Sequence, residues 1–195
     1  MNSSTQSNNR QGTKKSHPKR KNSTRTVKEL VVFAMLGAIM FVSDIVMEVL
    51  PNVHLLGMLI MAFTVAYRTK ALIPIYVYVM LQGLYAGFAL WWVPYLYVWT
   101  VLWGLTMLIP RKTPKVAAGI IYPILCSLHG FAFGILYAPG QALMFGLDFK
   151  QTLAWIAAGV AFDVTMGVSN IFTGLLVLPF SELIVKLSRR IGIAN

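Results

Sequence analysis

The sequence predicts an all-α membrane protein, a bundle of six transmembrane helices with both termini in the cytoplasm. Three observations carry that expectation. Of the 195 residues, 57% are hydrophobic and 12% are charged, whereas a soluble domain carries roughly 25% charged residues. Mean hydropathy is +0.67. Eight of the 17 basic residues fall in the first 28 positions, and from Glu29 onward the chain is a series of apolar runs divided by short polar turns. One compact bundle suits this length.

Residues 1–28 (MNSSTQSNNRQGTKKSHPKRKNSTRTVK) contain no acid, few apolar residues and many Ser, Asn and Thr. Such a segment cannot bury enough apolar surface to order itself and is expected to be a disordered cytoplasmic tail close to anionic lipid. Its basic part is too long for a signal peptide, and no cleavage site follows a short apolar region. The net charge of +11 invites a nucleic-acid reading. Its concentration in this tail argues against one, and no nucleic-acid partner is expected. The domain proper is expected over 29–190, with 191–195 as a C-terminal tail.

About 20 apolar residues are needed to cross the hydrocarbon, and six spans are expected at 29–49, 54–67, 71–90, 93–109, 116–138 and 152–178. Pro51, Pro94 and Pro110 mark ends. The second span is short and is expected to continue through YRTK, with Arg68 snorkelling. Beyond Pro179 the sixth is expected to continue as a basic amphipathic end, SELIVKLSRR, in which Glu182 and Lys186 sit at i,i+4. The basic residues test the count. The tail, the 2–3 turn (Arg68, Lys70), the 4–5 turn (Arg111, Lys112, Lys115) and the C-terminus (Lys186, Arg189, Arg190) hold 16; the intervening turns hold only Lys150. An excess of Lys and Arg marks cytoplasmic loops, which places both termini in the cytoplasm of a plasma-membrane protein. The single cysteine, Cys126, excludes an internal disulfide.

Four of the five tryptophans lie in LWWVPYLYVWTVLW, Leu90 to Trp103. The topology places this stretch at the outer end of the fourth helix. Trp91 and Trp92 are at interface depth, where an aromatic belt is usual. Tyr95, Trp99 and Trp103 follow at i, i+4 and i+8 on one face, and the rise per residue puts Trp99 about 9 Å below the outer surface. Rings at that depth fill a core, face lipid, or wall a cavity, in which flat faces stack on heterocycles and hold cations. Polar groups recur at the same depth: Asp44 and Glu48 on the first helix, Gln82 and Tyr85 on the third, His129 on the fifth and Asp163 on the sixth. Ionisable groups in a membrane are costly and usually face the bundle interior or a wet cavity. Mutual satisfaction, for instance His129 to Asp163, is the plain alternative. A ligand pocket open to the outside accounts better for such groups arriving from four helices at one depth. On the first helix, Ala34 and Ala38 are spaced small-xxx-small, which lets another helix backbone come close, either within the chain or in a partner.

The AGVAFDVTMGVSNIFTGLLVLPF stretch, with Asn170 seven residues after Asp163, PNVHLLGML at the start of the second helix, the Ala34-x-x-x-Ala38 pair and six short spans after a basic N-terminus together resemble the substrate-binding S components of energy-coupling-factor vitamin transporters. The resemblance covers 29–190. It implies that the chain binds a vitamin or related small heterocycle from outside; the candidate ligand contacts are Asp44, Gln82, Tyr85, Tyr95, Trp99, His129 and Asp163 from the depth and face they share, with Tyr137 added by the resemblance. It also implies that Ala34 and Ala38 dock on a transmembrane T component that carries two cytoplasmic ATPases, and that the subunit topples to release its ligand inward. His129 with Tyr137 eight residues later is similar to thiamin-specific members, which have Trp at the second position. Tyr137 and the amide of Gln82, where a carboxylate is expected for a cationic ring, depart from that pattern and leave riboflavin, cobalamin, folate or a pyrimidine precursor open.

The chain has no G-x-x-x-x-G-K-[ST] and so no Walker loop of its own; ATP would be used by partner subunits, and no cofactor or metal is expected here. Two other functions compete. A membrane-embedded enzyme would use His129 with Asp44 or Asp163 as an acid–base pair, but no nucleophile elbow, H-E-x-x-H or acidic metal motif accompanies them. A self-contained secondary transporter or channel would commonly show inverted repeats, and no internal repeat is found.

Overall fold

The computed structural model describes residues 21–50 and 53–193, with residues 21–25 by backbone alone. Among these residues there are helices and turns and no strand. Eight α-helices follow one another: α1 Lys21–Met47, α2 Leu56–Tyr67, α3 Leu72–Ala86, α4 Tyr95–Leu108, α5 Lys115–Phe131, α6 Phe133–Phe145, α7 Phe149–Gly174 and α8 Val177–Arg190. Among the described residues, four helical stretches are long and apolar enough to cross a membrane: 26–47, 56–86, 115–145 and 149–174.

Burial is distributed as a lipid solvent demands. Val31, Met35, Val42 and Val46 of α1, and Val160, Phe162, Val164 and Phe172 of α7, are exposed, while Asp44, Gln82, His129, Asp163 and Asn170 are buried. Hydrocarbon offers polar groups no partner, so they turn inward, and apolar side chains lose nothing by facing out.

The 56–86 stretch doubles back. Asp44 touches both His54, just before α2, and Gln82, near the end of α3, which a straight helix of that length would hold about 40 Å apart. The reversal sits at Arg68, whose φ of 57° is the one positive value on a non-glycine among the described residues. A short helical turn, Arg68–Ala71, then leads into α3, which returns alongside α1: Lys70 pairs with Glu29 at 2.6 Å and Phe41 meets the ring of Tyr85. Nine of the twelve residues of α2 are buried. At about 18 Å α2 is too short to cross hydrocarbon, yet surrounded by protein it need not do so alone.

α5 and α6 form one long kinked helix that runs antiparallel to α7. Ser127 donates to the Gly167 carbonyl at 2.9 Å and Asn170 to the Cys126 carbonyl at 3.2 Å. The backbones touch where side chains vanish: a Cβ on Gly130 would stand 2.9 Å from Gly167 Cα. Close approach through small residues is how helices pack when hydrophobic association is absent.

Several boundaries differ from those expected. The first helix starts at Lys21, ahead of the expected start at 29, and residues 1–20 of the expected tail lie outside the described residues. α1 is already a regular helix when it reaches Glu29, and adding residues to an existing helix is far cheaper than starting one. The fifth span runs beyond 138 through Pro139, because a side chain mends the break. Tyr97 Oη accepts from Gly140 N–H at 3.1 Å and donates to the Tyr137 carbonyl at 3.4 Å. The sixth ends at Gly174, and the amphipathic end is a separate helix, α8, which holds Pro179 in its first turn, where a missing N–H costs nothing. Val177, Ser181, Ile184 and Ser188 form its buried stripe, and Ser188 meets the Tyr67 hydroxyl at 2.6 Å. Glu182 pairs with Lys115 at 2.7 Å and not with Lys186. Arg68 does not snorkel: its guanidinium donates to the Met107 and Ile109 carbonyls at 2.6 and 3.1 Å, satisfying the end of α4.

Candidate functional site

The polar half of the site begins at Asp44 on α1. Its carboxyl accepts from Tyr78 Oη at 2.9 Å and from Gln82 Nε2, and His54 Nδ1 lies 3.3 Å from its other oxygen. Tyr78 and Gln82 are four apart on α3 and therefore share a face. α1, α3 and the segment leading into α2 are thus tied to one buried carboxyl.

Tyr78 also opens the aromatic half. Its ring is 6.4 Å from that of Trp99, and Trp99 in turn meets Tyr95 at 5.8 Å, His129 at 5.8 Å and Phe133 at 5.5 Å. Tyr95 continues to Tyr137 at 6.2 Å, and Tyr137 stacks on Trp155 of α7 at 5.8 Å. Edge-on and tilted pairs at these separations are the favourable geometries for rings carrying a negative face and a positive edge. A continuous aromatic wall therefore runs from α3 through α4, α5 and α6 to α7, with Trp99 at its centre.

Most groups here are satisfied locally. His129 Nε2 lies 3.2 Å from the Val98 carbonyl, and Tyr137 Oη donates to the Trp91 carbonyl at 2.5 Å. Two ring nitrogens are not: His54 Nδ1 faces Asp44 at 3.3 Å without a hydrogen bond, and Trp99, 4% exposed, has an indole N–H with no hydrogen-bond partner. A buried donor left without an acceptor costs about 1–3 kcal/mol. An orphan of that kind in the middle of a ring cluster is a place where a ligand acceptor would recover energy.

Of the predicted contacts, Asp44, Gln82, Tyr95, Trp99, His129 and Tyr137 come together in this cluster. Asp163 and His129 do not bond each other. Both carboxyl oxygens of Asp163 receive the Gly134 N–H, at 3.1 and 3.2 Å, in the first turn of α6. There Asp163 answers a first-turn donor that no intrahelical carbonyl serves, one residue from Phe133. Tyr85 stands apart, 61% exposed against Phe41. Trp103 also leaves the row: its indole donates to the Arg68 carbonyl at 3.1 Å, at the other end of α4. Trp92 is no free belt residue, because its indole donates to the Val79 carbonyl at 2.7 Å.

Tyr78, His54, Phe133 and Trp155 belong to the cluster and were not picked out from the sequence. Spacing alone points to Tyr78, four residues before Gln82, and His54 lies within PNVHLLGML. Phe133 and Trp155 carry no such signal, since one aromatic among many on an apolar helix has no distinguishing neighbour in sequence.

Ala34 and Ala38 are exposed on α1. Gly37 is the residue that packs inward, where a Cβ would meet Val77 at 2.5 Å. An apolar groove of about 540 Å³ runs beside Ala38, between Met35, Ile39, Val42 and Leu55. Among the described residues no group of His, Cys, Asp and Glu is arranged to hold a metal ion. No family model matches the chain, no curated protein matches it, and no solved structure matches it.

Proposed function

We propose that the chain is the membrane-embedded substrate-binding subunit of an ATP-driven importer of the energy-coupling-factor type. It crosses the plasma membrane six times with both termini in the cytoplasm and takes a flat, vitamin-like heterocycle from outside. The observation that carries the reading is Trp99, a buried indole whose N–H lacks an acceptor, set within a wall of rings beside the Asp44–Tyr78–Gln82 network. Rings supply stacking surface, the indole donates to a ring nitrogen or carbonyl of the ligand, and Asp44 with its partners orients a polar edge. A mostly apolar site with a few placed polar groups is the usual composition of a small-molecule pocket.

The open Ala34–Ala38 face supports a partner reading over internal packing, because α1 uses Gly37, and not these alanines, against α3. A T component with two ATPases would dock there and supply the energy that this chain, without a Walker loop, does not. Purification in mild detergent from the native membrane tests both halves. Native mass spectrometry should find a retained aromatic small molecule, and ATPase subunits should co-purify. A preparation that carries neither, from cells in which an ion gradient alone drives uptake, would identify a self-contained secondary transporter instead.

A further inference from the structure

A second cavity opens at the opposite end of the bundle from the rings, where α2 and α4 end, α5 begins and α8 lies across them. It encloses about 820 Å³, within the range of small-molecule sites. Six cations line it: Arg68, Lys70, Arg111, Lys115, Lys186 and Arg189; Glu182 is the one acid. Three of the cations are committed. Arg68 serves the carbonyls of Met107 and Ile109, Lys70 pairs with Glu29, and Lys115 pairs with Glu182. Arg111, Lys186 and Arg189 have no ion pair or side-chain hydrogen bond among the described residues.

No acidic side chain is left to neutralise them. It has six acidic residues in all. Asp44 and Glu48 lie at the far end of α1, Asp148 caps α7, and Asp163 is held at Gly134. Glu29 and Glu182 are already paired. Between the cations the cavity wall is apolar, with Val65, Ala118, Leu178 and Val185, and the Tyr122 side chain faces it. Facing cations that lack an internal counter-charge call for an anion from outside, and the apolar wall suits an amphiphile.

We propose that this cavity binds a phosphate-bearing anion, with Arg111, Lys186 and Arg189 as its ligands and the Val65–Val185 wall receiving the apolar part. The anion is either a phospholipid headgroup or a soluble phosphate ester. Arg68 is a positioning residue: its positive φ is uncommon for a side-chain-bearing residue, and its guanidinium fixes the end of α4 at the cavity rim. The proposal stands independently of the outer site.

The full-length protein would be reconstituted with an equal mixture of phosphatidylcholine and phosphatidylglycerol, and retained lipid read by native mass spectrometry. In a separate arm, inorganic phosphate would be added to protein in phosphatidylcholine alone and its phosphorus resonance followed for broadening. The site variant is Arg111→Gln/Lys186→Gln/Arg189→Gln. The control, Lys112→Gln/Lys150→Gln/Arg190→Gln, removes the same charge elsewhere. Val185→Trp fills the cavity without altering charge and does not depend on the triple variant folding. Enrichment of phosphatidylglycerol that falls about tenfold in the site variant and in Val185→Trp, but not in the control, identifies a lipid. Broadening of phosphate lost in the site variant alone, with no lipid preference, identifies a soluble ligand. Equal behaviour of site variant and control in both arms overturns the proposal, as does undiminished enrichment in Val185→Trp.

Discussion

Trp99 is where residue-scale chemistry is most exposed to test. Its ring contacts four others and its N–H contacts none, so stacking and donation can be separated. Trp99→Ala should weaken ligand binding by roughly 1–3 kcal/mol, the range found for ring–base stacking. Trp99→Phe should retain most of the stacking part and lose the donated bond. Trp103→Ala, which removes a donor to Arg68 O at the far end of α4, should leave affinity unchanged. Isothermal titration with the retained ligand, at equal folded yield, reads all three; a Trp99→Ala protein that folds and binds normally would remove this indole from the site. The depth of Trp99 is legible in the sequence through the i, i+4, i+8 row. That Trp103 leaves the row is not, because its partner is a carbonyl exposed by an unusual backbone at Arg68, 35 residues away.

Elements add constraints that a single side chain does not. The α5–α7 contact depends on Gly130 meeting Gly167 backbone to backbone, whereas Gly159, on the same α7, has open space around its Cα. Alanine at either site gains about 1 kcal/mol of helix propensity, so the difference between them isolates packing. Gly159→Ala should be neutral or stabilising in thermal unfolding, and Gly130→Ala should lose about 1–3 kcal/mol from overpacking. Equal melting temperatures would mean that the two helices yield freely. On α1 the expectation is reversed. Ala34→Leu and Ala38→Leu point away from the chain's own core, so folding and ligand binding should survive while co-purification of partner subunits fails; normal uptake by both would return the pair to ordinary lipid contact. Element ends were less legible than element cores. Asp148-x-x-Gln151 forms a capping box, with bonds of 2.8 and 2.9 Å, and that pattern could have set the start of α7 from sequence. The continuation of α6 past Pro139 was not legible, since the hydroxyl that meets the helix there comes from α4.

For the whole molecule the first question is which end faces which compartment. Basic residues divide 16 to one between alternate turns, so Thr113→Cys, in a Cys126→Ala background, should be shielded from an impermeant thiol reagent while Asn52→Cys and Lys150→Cys react. Lys150 is preferred to Asp148 because the latter caps α7. Labelling of Thr113→Cys alone would invert the molecule and move the aromatic wall to the cytoplasmic side. The membrane class was readable because apolar run length and charge segregation are properties of the chain as a string. The 2–3 turn at Arg68 was readable too, but the meeting of Asp44 with His54, Tyr78 and Gln82 was not, since it depends on how α1, α3 and the segment before α2 pack side by side.

The mended helix α6 has a consequence for synthesis. Its main chain is completed by two side chains from elsewhere: Tyr97 of α4 at Gly140, and Asp163 of α7 at Gly134. One partner is made before α6 and the other after it. A nascent chain that has emerged only as far as residue 150 holds α4 in place but leaves the Gly134 donor in hydrocarbon with no carboxylate to meet it. The C-terminal third should therefore settle only when α7 arrives, and not helix by helix as the ribosome delivers it. In a chain truncated after residue 150, backbone amides of 132–136 should exchange hydrogen faster than in a chain extended past Asp163. Asp163→Ala in the full chain should restore the fast exchange of the truncated one, which would make α7 the last clasp in the order of assembly.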